Sequence, residues 1–411
     1  MNDLEETLRR TLGNAAEQAP RLPGGLPERL ETGYRRRRRR ARTALAAAAV
    51  VVVAGGTAAG LRVGASPVAA PGTDPTGVSS ATVGTEPGPR ADALPEPVGT
   101  VWPQAVRTVP ATGPDGRDFE PLAFIDDRTL LVTMNAGFRK NDALYAYDLD
   151  GRTFRKIADV PIPVGTVISP SDFTVGNGHV VWWTASADAF GQIWSAPLAG
   201  GEARLVADKK IADVPDKGLG SLAVIGDRIA FSEQEGGVYT VPVQGGTVEA
   251  VPDSAGMHLL DWPWIGGPGL RVPAGEARFG RIRNVETGET DTAVIRPGER
   301  SVTCDRTTCS GTSPGGRGFH RLRDGSQEKE LPGGISPVEP PARGRFHVVT
   351  VWNEGSILGV VLQDLATGTS GGLGVRPEGR YVRKPRIGRD GRLLAYPVGD
   401  EMYVIDLAKI Q

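Results

Sequence analysis

Cys304 and Cys309, in the stretch TCDRTTC, are the only cysteines of this 411-residue chain, and four residues separate them. That spacing suits opposed positions on two antiparallel strands joined by a tight turn, where the β-carbons come within bridging distance. In an oxidising compartment the pair forms a disulfide; in a reducing one it stays as two structural thiols. The four histidines, His179, His258, His320 and His347, include no i, i+2 or i+4 pair, so they offer no metal-ligating pattern. GTSPG at 311–315 has the spelling of a nucleophile elbow. Its Ser313 nevertheless lies in a Gly/Ser-rich link between two strands, not on the strand-to-helix turn that this chemistry needs. GLGSLA at 218–223 mimics part of a dinucleotide loop but opens a strand, not a helix. No coherent catalytic set emerges, and neither a metal nor a cofactor is expected.

The elements that position these residues come from internal repetition. A strand with an apolar or aromatic start and a glycine-marked turn recurs: LYAYDLDGRTFRKIA at 144, IWSAPLAGGEARLVA at 193 and VYTVPVQGGTVEAVP at 238. Weaker copies begin at 281, 319 and 360, and MYVIDLAKIQ at 402 is cut off by the chain end. A hairpin with an Asp, Gly or Asn turn precedes them, as in LAFIDDRTLLVTM and LAVIGDRIAFSEQ, because a two-residue turn needs positive φ at its centre. The unit is four strands, and seven copies are expected, which predicts an all-β, seven-bladed propeller over residues 101–411. The seventh unit lacks an outer strand. VWPQAVRTVP at 101–110 resembles RTFRKIADVP at 152–161 and is expected to return as that strand and close the ring. A six-bladed ring or two packed sandwiches are the alternatives.

In a propeller the starts of the innermost strands ring the mouth of a central channel. The repeat alignment puts Asp172, Ser221, Asp261, Arg300, Glu339 and Arg383 there, as candidates to orient a polar ligand or a peptide terminus. In DWPWIGG, Trp262 and Trp264 stand beside Asp261 as a candidate aromatic platform for a sugar or peptide, with packing between blades as the alternative.

The pattern aromatic-x-x-x-Leu/Val-x-Gly-Gly, in IWSAPLAGGEARLV and VYTVPVQGG, resembles the repeats of TolB-type and related tryptophan–aspartate-repeat propellers. The Trp-Asp dipeptide of the wider class is absent from the repeat ends. What the resemblance implies is the propeller fold.

Upstream of the repeats the chain changes character. Six consecutive arginines, Arg35, Arg36, Arg37, Arg38, Arg39 and Arg40, run into 19 uncharged residues, Thr43 to Leu61. As a helix these would span roughly 28 Å, close to the hydrocarbon thickness of a bilayer. Arginines on one flank fix the orientation, N-terminus inside and C-terminus outside. A cleaved export signal and a nucleic-acid tail are the competing readings. The first demands a shorter leader, and the second leaves the apolar run unexplained. Residues 1–42 carry net charge +5 and the remainder −6, which argues against a protein that coats nucleic acid along its length.

Leu4, Leu8 and Leu12 share one face of a short amphipathic helix, either a solvated element or a dock for a cytoplasmic regulator. Residues 62–100, with seven prolines, read as a disordered tether able to reach roughly 120 Å at about 3.1 Å per residue. The layout of basic segment, anchor, tether and propeller also resembles actinobacterial membrane proteins, some of which accompany sigma-factor systems. The Cys/His zinc motif of anti-sigma domains is missing. The expectation is a single-pass, membrane-anchored, extracytoplasmic propeller that binds a protein, peptide or glycan without catalysis. The alternatives are a propeller hydrolase or lyase acting on carbohydrate, and a sigma-factor-linked signalling protein working through residues 1–42.

Overall fold

The computed structural model describes residues 93–411, except 136–140, 189, 212–217, 270–271, 274, 332–339, 354–355 and 378–381. The expected cytoplasmic segment 1–42, the anchor 43–61, residues 62–92 of the tether and the candidate Glu339 lie outside the described residues. Among the described residues no helix is long and apolar enough to cross a membrane.

A single helical turn, α1 (Val98–Val101), leads into β1 (Val106–Pro110). Seven antiparallel sheets then follow in chain order. The first blade is β2 (Asp118–Phe124), β3 (Thr129–Asn135), β4 (Asn141–Asp148) and β5 (Thr153–Asp159). The second is β6 (Thr166–Gly176), β7 (His179–Ser186), β8 (Phe190–Pro197) and β9 (Arg204–Lys210). The third is β10 (Leu219–Ile225), β11 (Arg228–Glu233), β12 (Val238–Pro242) and β13 (Glu249–Ala250). The fourth is β14 (His258–Asp261), β15 (Trp264–Gly267), β16 (Arg281–Asn284) and β17 (Thr290–Thr292). The fifth is β18 (Arg300–Cys304), β19 (Thr308–Thr312), β20 (Gly318–Leu322) and β21 (Lys329–Leu331). The sixth has β22 (Phe346–Asn353), β23 (Ser356–Asp364) and β24 (Ser370–Gly372). The seventh has β25 (Leu393–Val398) and β26 (Glu401–Asp406), with single bridges Ala342–Phe346 and Ile387–Leu394 marking first-strand positions in the last two blades. The fold is a seven-bladed β-propeller.

One hydrogen bond recurs in all seven blades. The residue after the third strand donates its N–H to the carbonyl of the residue before the second: Leu149 to Arg128, Leu198 to Gly178, Val243 to Asp227, Val285 to Pro263, Arg323 to Thr307, Leu365 to Arg345 and Leu407 to Arg392. Their lengths run from 2.7 to 3.1 Å. In six of the blades the turn that follows is built in one of two ways. In the first, fourth, sixth and seventh blades an Asp or Asn side chain (Asp148, Asn284, Asp364, Asp406) accepts N–H groups of the turn. In the second and third blades proline ends the strand, and a Gly-Gly pair makes the turn, with φ of 109° and 154° at Gly200 and Gly201 and 89° and 142° at Gly245 and Gly246. Two of the three strongest sequence repeats, at 193 and 238, therefore mark the glycine-built turns, and the one at 144 marks an Asp-built turn.

The core lies between blades. Val180 and Trp182 pack on the first blade, whereas Val181 and Trp183 pack on the third. The run Val180-Val181-Trp182-Trp183 is apolar throughout because both faces of a propeller blade are covered, and each fully buried aliphatic side chain is worth about 1.5–3 kcal/mol. Outer-strand cations tie successive blades together: Arg155, Arg204 and Lys329 donate to the carbonyls of Leu198, Val243 and Leu365 at 3.0, 2.9 and 3.0 Å.

The ring closes as the sequence expectation had it. β1 pairs antiparallel with β26, Val106 opposite Ile405 and Val109 opposite Met402, and supplies the outer strand of the seventh blade. The propeller's own chain begins upstream of the expected boundary at residue 100, because Val98 and Trp102 are buried among the last two blades and Pro97 bridges Gly372. Arg392 spans the closure, bonding Asp406 at 2.7 Å and Asp127 of the first blade at 2.5 Å, with its guanidinium 4.5 Å from the Phe124 ring centre. Arg345 holds Asp364 at 2.7 Å and also donates to the carbonyls of Ile410 and Gln411.

Burial pushes the Asp364 carboxyl up, but hydrogen bonds from Arg345, Thr367 and the Ala366 N–H outweigh it and hold the group at about 2. A carboxyl depressed below its unfolded value stabilises the fold above the unfolded pKa, and that stability is lost as pH falls toward 2. The contribution is about 2 kcal/mol. Asp364→Asn is therefore expected to lower stability at pH 7, with the gap to wild type shrinking between pH 4 and pH 2 in chemical denaturation. A gap independent of pH would contradict this.

Candidate functional site

An open cavity of about 2770 Å³ is lined chiefly by the fifth, sixth and seventh blades, through β22, β25 and the segments that precede them, with contributions from the second, third and fourth. Every described first strand of the first five blades carries a bulge, which re-aims its side chains next to the channel. At the bulges of the second and fifth blades, Asp172 and Ser301 take positive φ of 57° and 52°.

Of the six channel-mouth candidates, Ser221, Asp261 and Arg383 line the cavity. Asp172 is not at the start of its strand; the extra length of β6 sets it mid-strand at the bulge. There it accepts a hydrogen bond from the Trp183 indole at 2.9 Å and pairs with Arg389 at 3.0 Å. Asp261 ends its strand, so it sits at the opposite end from the strand starts. Arg300 is an exposed residue that does not line the cavity, because the bulge after it turns the strand. Trp264 is buried in β15, with the Arg306 guanidinium 5.5 Å from its ring centre. Trp262 is half-buried, its indole N–H donated to Glu286.

Cys304 and Cys309 face each other across the β18–β19 hairpin and form the disulfide, with α-carbons 4.0 Å apart. The intervening turn is tied by Asp305, which accepts from the N–H groups of Thr307 and Thr308. Ser313 sits in a tight turn where its hydroxyl accepts from the Arg317 N–H. Ser310 is within 3.2 Å of His320, but its side chain is fully buried and offers no approach to a substrate. Among the described residues no three His, Cys, Asp or Glu side chains cluster closely enough to hold a metal ion.

The dominant feature of the cavity is its charge. Arg343, Arg376, Arg383, Lys384 and Arg386 line it, and among the described residues the side chain of none of them has an ion-pair or hydrogen-bond partner. Elsewhere Arg321, Arg345 and Arg392 each hold a carboxylate. Among the described residues the acids on the cavity wall do not balance these cations. Asp305 and Asp390 are taken up by their own turns, leaving Asp261. Arg389, in the hairpin turn of the seventh blade, reaches across the channel. It meets Asp172 of the second blade and donates to the Gly220 carbonyl of the third at 2.9 Å. Four of these cations, and Arg392, come from RKPRIGRDGR at 383–392, a basic density that stands out in a body of net charge −6 and was the signal available for this site.

His347 is half-buried on the same wall. Burial first, then the charge of Lys384 and the neighbouring His320, hold its imidazole down at about 4, so it is neutral at pH 7.

The chain matches no protein-family model and no curated protein. Among solved structures it is similar to YCF48 bound to D1 peptide, at 9% identity and TM-score 0.44, over 78% of this chain and 97% of that one. It is also similar to an oligogalacturonate lyase from Vibrio parahaemolyticus, at 10% identity and TM-score 0.44, over 74% and 97%. A third likeness is to a TolB from Agrobacterium tumefaciens described as putative, at 13% identity and TM-score 0.32, over 74% and 97%. At these identities and scores none of them assigns a role to any residue here.

If the cationic wall is arranged as described, Lys384→Gln raises the His347 pKa from about 4 when the imidazole is followed by NMR titration. An unchanged value would place the Lys384 charge away from the ring.

Proposed function

We propose that this chain is a single-pass, membrane-anchored propeller that presents its channel outside the cytoplasm as a binding module for an anionic ligand. The observation that carries binding is the wall of five cations with no partner among the described residues, inside a body of net negative charge. Unpaired like charges side by side repel one another, so a fold that keeps them gains on meeting an anion. Support for the anchor comes from Arg35 to Arg40 abutting the apolar run Thr43 to Leu61. Support for an oxidising exterior comes from the Cys304–Cys309 disulfide.

Protease added to intact cells tests the placement, using the full chain with an epitope at each end. The expected result is loss of the C-terminal epitope and survival of a protected fragment bearing residues 1–42. Protection of the whole chain until the cells are lysed would contradict it.

A further inference from the structure

We infer that the cationic wall holds an acidic, apolar-interleaved segment of another protein, an assignment that rests on the binding role proposed above. The cavity volume of about 2770 Å³ exceeds the 300–1,000 Å³ typical of small-molecule pockets, which favours a length of chain over a compact metabolite.

Its chemistry narrows the kind of chain. Arg343, Arg376, Arg383, Lys384 and Arg386 present donors with no partner among the described residues, and guanidinium forks match carboxylates in a bidentate manner. The fold already shows such a contact, since the Asp172 carboxylate sits 3.0 Å from Arg389 across the channel. An incoming carboxylate can take the place of Asp172 on that guanidinium. Between and beside the cations lie Val348, Trp352, Val375 and Val382, apolar surface suited to aliphatic side chains.

A hydroxyl-rich glycan would need acceptors and amides to match its hydroxyls. Among the described lining residues there is no Asn or Gln, and two of the three acids are engaged in turns. The wall therefore fits alternating carboxylates and apolar groups better than a sugar.

The test is fluorescence anisotropy on the full chain in detergent, with a labelled twelve-residue peptide of Glu interleaved with Leu, Val and Ala. Its partners are the same peptide with Gln for Glu, and an oligogalacturonate of equal charge. The peptide is expected to bind and to weaken as salt rises, with the Gln peptide at least ten-fold weaker and the uronate weaker than the peptide. The double variant Arg383→Gln/Arg386→Gln should lose at least ten-fold in affinity while unfolding at the wild-type temperature. If that variant does not fold, the Gln peptide and the salt dependence of the wild type decide the matter. Absence of peptide binding, indifference to the Gln exchange or to the folded variant, or uronate binding as tight as the peptide would overturn the inference. Protease placement is measured separately, so failure here leaves that result standing, and tight uronate binding would keep an anion site while changing its ligand.

Discussion

Everything in this molecule depends on a strand borrowed across the length of the chain. Each blade buries its faces only against its neighbours, so an open ring would leave two apolar sheet faces in water. The seventh blade ends with β26, and its fourth strand is β1, which precedes the first blade in sequence. Val109 packs with Leu393, Met402 and Val404 of the last blade and Phe119 and Leu130 of the first, so one strand joins both sides of the seam. Arg392 adds a charged staple, bonding Asp406 within its own blade and Asp127 across the gap. The same seam recruits α1 and Trp102 against the sixth and seventh blades, so the chain enters the propeller already packed.

The cations of the sixth and seventh blades come from the segments that lead into β22 and β25. Stability comes from the cores between blades and from paired residues such as Arg345 with Asp364. The unpaired wall contributes a concentrated positive potential instead. Arg389 mediates between these roles, since it ties the seventh blade to the second and third through contacts that remain open to solvent at one end.

The architecture was legible because its signals are local. The glycine pairs at 200–201 and 245–246 and the Asp-marked turns recur along the chain, and the kinship of 101–110 with 152–161 foretold the closure. The Cys304–Cys309 pairing was legible for the same reason, since one hairpin contains both partners. The channel was not. Its wall is assembled from residues more than a hundred positions apart, as in Asp172 with Arg389, and no periodicity encodes that contact. Bulges then displaced the alignment by a few residues, which moved Asp172 into mid-strand, put Asp261 at a strand end and left Arg300 off the cavity. In the fifth blade Arg323 occupies the slot held by Leu or Val in the other six, and it is buried by bonding Asp291 and the carbonyls of Phe279 and Gly280. That replacement is one reason the fifth repeat, at 319, reads as a weaker copy.

Amide hydrogen exchange on the intact chain, read by mass spectrometry over residues 104–110 and 401–406, tests ring closure most directly. If β1 completes the last blade, both peptides are protected together and open together as denaturant is added. Rapid exchange over 104–110 while 401–406 stays protected would mean that the ring is not closed by this strand.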